Sequence, residues 1–300
     1  MKNFLFSLFT FAVLLFAAGC STTDSVTGAS LWGSHWRAEP VTVLSGFAVP
    51  ECALYNPQVN RIYVSNIESA KDEYWTDDGK GYIDTVSVET WTPERRWTDS
   101  SPAFAINGPK GMCLLDGQLY FTDNTRLLRC STDTGKDPVV VASGFQQAND
   151  LVSDGKNIWL SDTKAGKVFC ITPQGQKREI PAPAGVNGIT FSGNQLYAVS
   201  WDLHDLYQLD PNGKNQPEAF GLADHFTNLD GIEVMPDGAF IVSDFYGNKV
   251  CAVTPDRSEV YTLAELETPA DIGIDAKNRL LYVPQFMKDK LAVYRLIYGE

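Results

Sequence analysis

The chain has 300 residues, 44% hydrophobic and 20% charged, with a formal net charge of -13. That apolar content supports a sizeable core and excludes wholesale disorder. The acidity argues against a nucleic-acid partner, because phosphate binding needs a basic face.

The N-terminus reads as an export signal. Lys2 is a short positive region, Phe4 to Phe16 is apolar except for Ser7 and Thr10, and Ala17-Ala18-Gly19-Cys20 follows. The apolar run is short and wrongly flanked for a transmembrane helix, which needs about 20 residues. Small residues before a cysteine resemble a lipobox. The resemblance implies a signal peptide over 1–19 and a diacylglycerol on the Cys20 thiol, which would hold the chain on a lipid membrane. Ser21, in place of Asp, resembles the pattern of Gram-negative lipoproteins of the outer membrane, so a periplasm-facing envelope protein is expected. Residues 20–36 are Ser/Thr/Gly-rich and read as a flexible tether. The folded domain is expected over 37–298.

Beyond the tether, short period-two runs recur: RIYVSN (61–66), QLYFTD (118–123), NIWLSD (157–162), QLYAVS (195–200), AFIVSD (239–244) and RLLYVP (279–284). Each leads into a polar loop and a second strand-like run, such as KVFCIT (167–172) and KVCAVT (249–254). Only 218–226 hints at a helix. Many short strands with evenly spaced turns predict an all-β sandwich, barrel or propeller. The repeat decides among these. A polar residue opens each first strand: Glu51, Lys110, Asn149, Asn187, Asp230 and Asp271, with spacings of 59, 39, 38, 43 and 41. Four of the five approach the ~40 residues of a four-stranded blade. The long spacing holds one insertion, 68–80. Six anchors predict a six-bladed β-propeller.

PVTVLSGF (40–47) nearly repeats PVVVASGF (138–145), which should be the outermost strand of blade two. The N-terminal copy should therefore complete the last blade beside KLAVYRL (290–296), closing the ring and pairing two open edges.

Innermost strands line a propeller's channel, so the anchors should converge on the axis. Three carboxylates crowded there repel one another unless a positive charge sits among them. Lys110 supplies one charge, and a divalent cation would supply two. Carboxylate and amide oxygens suit a hard cation such as Ca²⁺. The glycines of Asn187-Gly188 and Asp230-Gly231 should let the backbone turn tightly beside the ligand.

Over about 40–296 the chain resembles the senescence marker protein 30/gluconolactonase/luciferin-regenerating enzyme family of six-bladed propellers. The resemblance rests on Pro50-Glu51, Asn149-Asp150, Asn187-Gly188 and Asp230-Gly231, each opening a blade as in the family. It implies that Glu51, Asn149, Asn187 and Asp230 hold a catalytic divalent metal or its waters. The metal would be Ca²⁺, with Zn²⁺, Mg²⁺ or Mn²⁺ as alternatives. It further implies hydrolysis of a lactone or related ester, with Asp230 as ligand and base and Asp271 as the alternative base. Two residues depart from the pattern. Gln147 stands where the family's sugar-lactone hydrolases often carry a substrate-binding Arg, which argues against a sugar-acid lactone. Lys110 is either a substrate-binding cation or a replacement for the metal that pairs with Glu51 and Asp271.

Loops between second and third strands should ring the mouth, bringing Trp75, Trp201, His204, Phe245, Tyr246, Phe286 and Met287 to a largely aromatic rim for an apolar or sugar-like ligand. Lys110, Gln147, Trp201, His204 and Tyr246 are thus candidate substrate contacts. The three histidines have no zinc-site spacing. Cys52, Cys113, Cys130, Cys170 and Cys251 lie in apolar runs and read as buried structural residues, an odd number once Cys20 is lipidated. The alternative function is a non-catalytic propeller resembling NHL-repeat scaffolds, which would bind a protein or a small ligand at the envelope.

Overall fold

The computed structural model describes Met1 and residues 35–299. The expected signal peptide, Cys20 and most of the expected tether lie outside the described residues. Twenty-four strands, β1 to β24, form six four-stranded antiparallel sheets arranged as blades. Blade one is β2 (Pro50–Asn56), β3 (Arg61–Asn66), β4 (Tyr82–Ser87) and β5 (Pro93–Asp99). The innermost strands of the next four blades are β6 (Pro109–Leu115), β10 (Ala148–Ser153), β14 (Val186–Ser192) and β18 (Leu229–Val234).

The ring closes as the repeat predicts. β1 (Trp36–Ser45) pairs antiparallel with β24 (Lys290–Tyr298) and becomes the outermost strand of the sixth blade. Pro40 lies at a bulge of β1, where an edge strand tolerates a missing N–H. The fold starts slightly before the expected boundary. His35 bonds Glu259 at 2.9 Å, and the indole of buried Trp36 donates to Asp237 at 2.8 Å. The hinted helix at 218–226 resolves into a two-residue strand and a 3-10 turn, Ala223–His225.

Alternating apolar residues place the core in the seams between blades rather than at the axis. Six clusters occupy the six seams; Ile241 and Val250 of blade five, for example, pack on Leu281 and Ala292 of blade six. A seventh sits at the channel mouth and includes Ile67, Phe245, Ala270 and Phe286. The five described cysteines are free thiols, four of them buried and Cys170 half-buried.

The recurrent Ser-Asp or Ser-Asn that ends the second strand has a structural explanation. The innermost strands of blades one to five each begin with a bulge in which two residues face one, as where Pro50 pairs with Asn66 and Ala53 with Val64. The bulge leaves an N–H without a ladder partner, and the serine accepts it: Ser65 from Cys52, Ser161 from Asp150, Ser243 from Gly231. The following carboxylate fixes the loop that leads into the strand. Asp123 accepts from Asn107 and Gly108, Asp162 from Gln146 and Gln147, and Asp244 from Thr227 and Asn228. These buried contacts fix the bulges of blades one, two, three and five, and with them Glu51, Lys110, Asn149 and Asp230.

Candidate active site in the channel

The bulges sort the axial residues into two tiers. Pro50, Pro109, Ala148, Val186 and Leu229 are the first paired residues of blades one to five. The equivalent pairing in blade six is Pro269 with Gln285. The residues that follow form the upper tier: Glu51, Lys110, Asn149, Asn187, Asp230 and Ala270. Asp271 is therefore one position out of the expected ring. Its carboxyl lies in the lower tier, among the residues around Cys52 and Asp150 and outside the cavity that holds Glu51 and Asp230. The expectation that Asp271 joins the anchor ring is corrected: Ala270 holds that place.

The upper tier floors a cavity of about 690 Å³ that contains Glu51, Lys110, Asn149, Asn187 and Asp230. Gln147, Trp201 and Tyr246 also line it. His204 does not. It closes a tight turn in the left-handed conformation, φ 60°, with its N–H bonded to Ser200. The lower tier, with Cys52, Asp150 and Asp271, lines a second pocket of about 220 Å³ farther along the strands, which also holds Glu233. The backbones nearly touch there. A Cβ on Gly188 would lie 2.4 Å from the Asp230 carbonyl oxygen, and one on Gly231 would lie 2.6 Å from the Ile272 nitrogen. Both glycines thus answer close approach, not the tight turn expected from sequence.

Four oxygen-bearing side chains from four blades meet in the cavity floor. Asn149 donates its amide to Thr163 Oγ1 at 3.0 Å, which leaves its carbonyl oxygen available. Asn187 lies beside Asp230 and lowers its pKa against the effect of burial. Glu51 is 6% exposed, and its Oε2 has no hydrogen-bond partner. A buried carboxylate oxygen without a donor is costly unless a cation or proton reaches it. Burial, then the Asp230 charge, raises the Glu51 carboxyl well above its usual range, and Lys110 offsets part of that. Burial, then the Asp150 charge, pushes Asp230 up to about 7. Among the described residues, no three His, Cys, Asp or Glu side chains converge as a metal cluster. The donor set is mixed, two carboxylates and two amides, and oxygen donors of this kind fit a hard dication.

Lys110 neither fills that place nor pairs with Glu51 or Asp271. Its three protons go to the carbonyls of Tyr74 and Gly108 and to Asn124 Oδ1, each at 3.0 Å. Its ammonium also sits 3.9 Å from the centre of the Trp75 ring. Burial lowers its pKa to about 8, against the raising effect of Glu51 and then Asp123.

Thr163, Lys164 and Asp202 also line the cavity and were not singled out from sequence. Thr163 follows the repeated Ser-Asp, and its position was the available signal.

No protein-family model and no curated protein sequence matches the chain. Solved structures do. Luciferin-regenerating enzyme aligns with a TM-score of 0.65 at 13% identity, over 87% of this chain and 96% of the other. The fold is shared. A protein assigned as a gluconolactonase aligns with a TM-score of 0.63 at 19% identity, over 89% and 96%. An inactive variant of virginiamycin B lyase from Staphylococcus aureus, with quinupristin, aligns with a TM-score of 0.59 at 13% identity, over 88% and 100%. At these identities the likeness establishes the six-bladed propeller and leaves the chemistry to be argued from the channel.

Proposed function

We propose that the chain is a divalent-metal-dependent hydrolase of lactones or related esters, acting in the channel cavity. The observation that carries the reading is the unpartnered, buried Oε2 of Glu51 in a floor it shares with Asp230, Asn149 and Asn187. Those four residues would hold the ion, with Ca²⁺ the best match to all-oxygen donors. When bound, such an ion supplies Lewis acidity at a carbonyl and lowers the pKa of water.

The chain's own residues supply the rest. Asp230 lines the cavity floor beside Asn187, and its carboxylate can take a proton from water. Thr163 orients Asn149. Trp201, Phe245 and Phe286 line the cavity and exclude water from one side. Asp271 lies in the lower tier, so Asp230 is the base of choice. Proton transfer needs hydrogen-bond reach, which a residue of the other pocket lacks.

The lipobox-like run ending at Cys20 supports anchoring of this activity to the outer membrane, facing the periplasm. Lactone turnover by the purified chain, abolished by a chelator and restored by a divalent ion, tests the reading. A chain that binds no divalent ion at millimolar concentration would instead favour the scaffold alternative.

A further inference from the structure

One side of the cavity is a continuous aromatic wall drawn from four blades. Trp201 packs on Phe245 and Tyr246, with ring centres 5.3 and 5.6 Å apart. Phe245 meets Phe286 at 5.4 Å, and Phe286 meets Tyr74 at 4.9 Å. Tyr74 and Trp75 belong to the 68–80 insertion, which reaches the mouth from blade one. Phe245 and Phe286 are buried and back the wall, whereas Tyr246 is 54% exposed and free to meet a ligand.

Lys110 would be the obvious partner for a substrate carboxylate or hydroxyl. An ammonium has three donors, and here all three are taken by acceptors of the insertion, its own strand entrance and Asn124. Turning it toward a ligand would leave one of those acceptors unpartnered, at 2% exposure of the lysine. Asn124 strengthens the same attachment by donating to the Thr76 carbonyl and to Asp77. Blade two therefore clasps the insertion of blade one.

We propose that this cavity selects a lactone or ester bearing a flat apolar group, bound against Trp75, Trp201 and Tyr246, and that Lys110 is a positioning residue holding the insertion over the cavity. The proposal rests on the hydrolase reading for the reacting group and adds the substrate class. A polyhydroxylated ring would turn hydroxyls to a wall with few partners, and each unpaired hydroxyl is unfavourable. A flat apolar ring loses water from both faces and stacks.

The test is isothermal titration calorimetry of the full chain with two lactams that cannot be hydrolysed readily: a benzo-fused six-membered lactam and the polyhydroxylated lactam of gluconic acid. Binding is thereby read apart from turnover, so a failed hydrolase reading shows as inert lactones while the order of lactam affinities stands. The benzo-fused lactam is expected to bind at least about tenfold more tightly. Lys110→Met and Trp75→Leu should each cut that preference about fivefold, with one divalent ion still bound per chain. Equal affinity for the two lactams overturns the substrate class. A Lys110→Met chain that keeps the full preference, or loses both lactams alike, overturns the positioning role. Should Lys110→Met fail to fold, Trp75→Leu, in an insertion outside the blades, decides the outcome.

Discussion

The backbone N–H of Asp271 donates to the carbonyl of Glu51 at 2.8 Å, and the two innermost strands meet in a parallel bridge between Cys52 and Asp271. This contact joins blades one and six at the axis and separates the fates of the two carboxyls. Glu51 enters the large cavity, while Asp271 goes to the lower tier beside Asp150. The substitutions should differ accordingly. Glu51→Gln should abolish divalent-ion binding. Asp271→Asn, which swaps a carboxyl held well above its usual range for a neutral isostere, should keep ion binding and turnover within about threefold. Paired titrations of the two variants check this.

The closeness of the blades at the lower tier predicts a steric result. Alanine at Gly188 would press a methyl onto the Asp230 backbone, which no rotamer change relieves. Overpacking of this kind costs about 1–3 kcal/mol. Chemical denaturation of Gly188→Ala should show at least that loss, and ion affinity should drop with it because Asp230 must shift. A neutral substitution would mean that the blades are more loosely packed at the axis.

The buried acids also set a pH dependence. Asp150 and Asp230 are pushed up to about 7, chiefly by burial. Burial and neighbouring charges raise Glu51 and Asp271 as well. Between about pH 4 and 7 the folded chain keeps protons that unfolded carboxyls have lost, so the native state binds more protons and stability falls as pH rises. For Asp150 and Asp230 that contribution is complete below about pH 4 and lost as pH rises through about 7, and Glu233, pushed up to about 8, carries the same trend further. The exposed Asp210 and Asp256 are held below their usual range, which acts only in more acidic solution. Chelated protein should thus melt at a lower temperature at pH 8 than at pH 5.5, and a divalent ion should restore stability at pH 8. A melting temperature that rises over this interval would refute the assignment.

Ring closure gives a further prediction. Trp36 is buried against blades five and six, and its indole is bonded to Asp237. Trp36→Ala should cost about 3 kcal/mol and leave the unfolding of the ring cooperative. Deleting residues 36–45 should expose the edge of β24 and promote self-association, visible by light scattering.

Architecture was legible in the sequence because it rests on repetition. Six anchors, the Ser-Asp signature and the near-duplicate PVTVLSGF each recur, and closure by β1 follows from counting strands. The convergence of Glu51, Asn149, Asn187 and Asp230 on one cavity was legible because they share one bulge position. Asp271 was misplaced because polarity alone cannot distinguish adjacent residues of a bulge, and only the Pro269–Gln285 pairing fixes its register. Lys110 was ambiguous for a different reason. Of the acceptors that occupy it, the Tyr74 carbonyl lies on an insertion that has no counterpart in the other blades, and the Gly108 carbonyl is a backbone group that side-chain patterns do not reveal. His204 shows the limit of placing side chains by loop membership, since a left-handed turn keeps it out of the cavity.

The account depends on four side-chain oxygens around the axis holding a doubly charged ion. Calorimetric titration of the chelated, purified chain with Ca²⁺ and then with Zn²⁺, Mg²⁺ and Mn²⁺ addresses this most directly. The account predicts one ion per chain, with binding lost in Glu51→Gln and kept in Lys110→Met. Heat-silent titrations with all four ions at millimolar concentration, together with unchanged melting of Glu51→Gln, would contradict it.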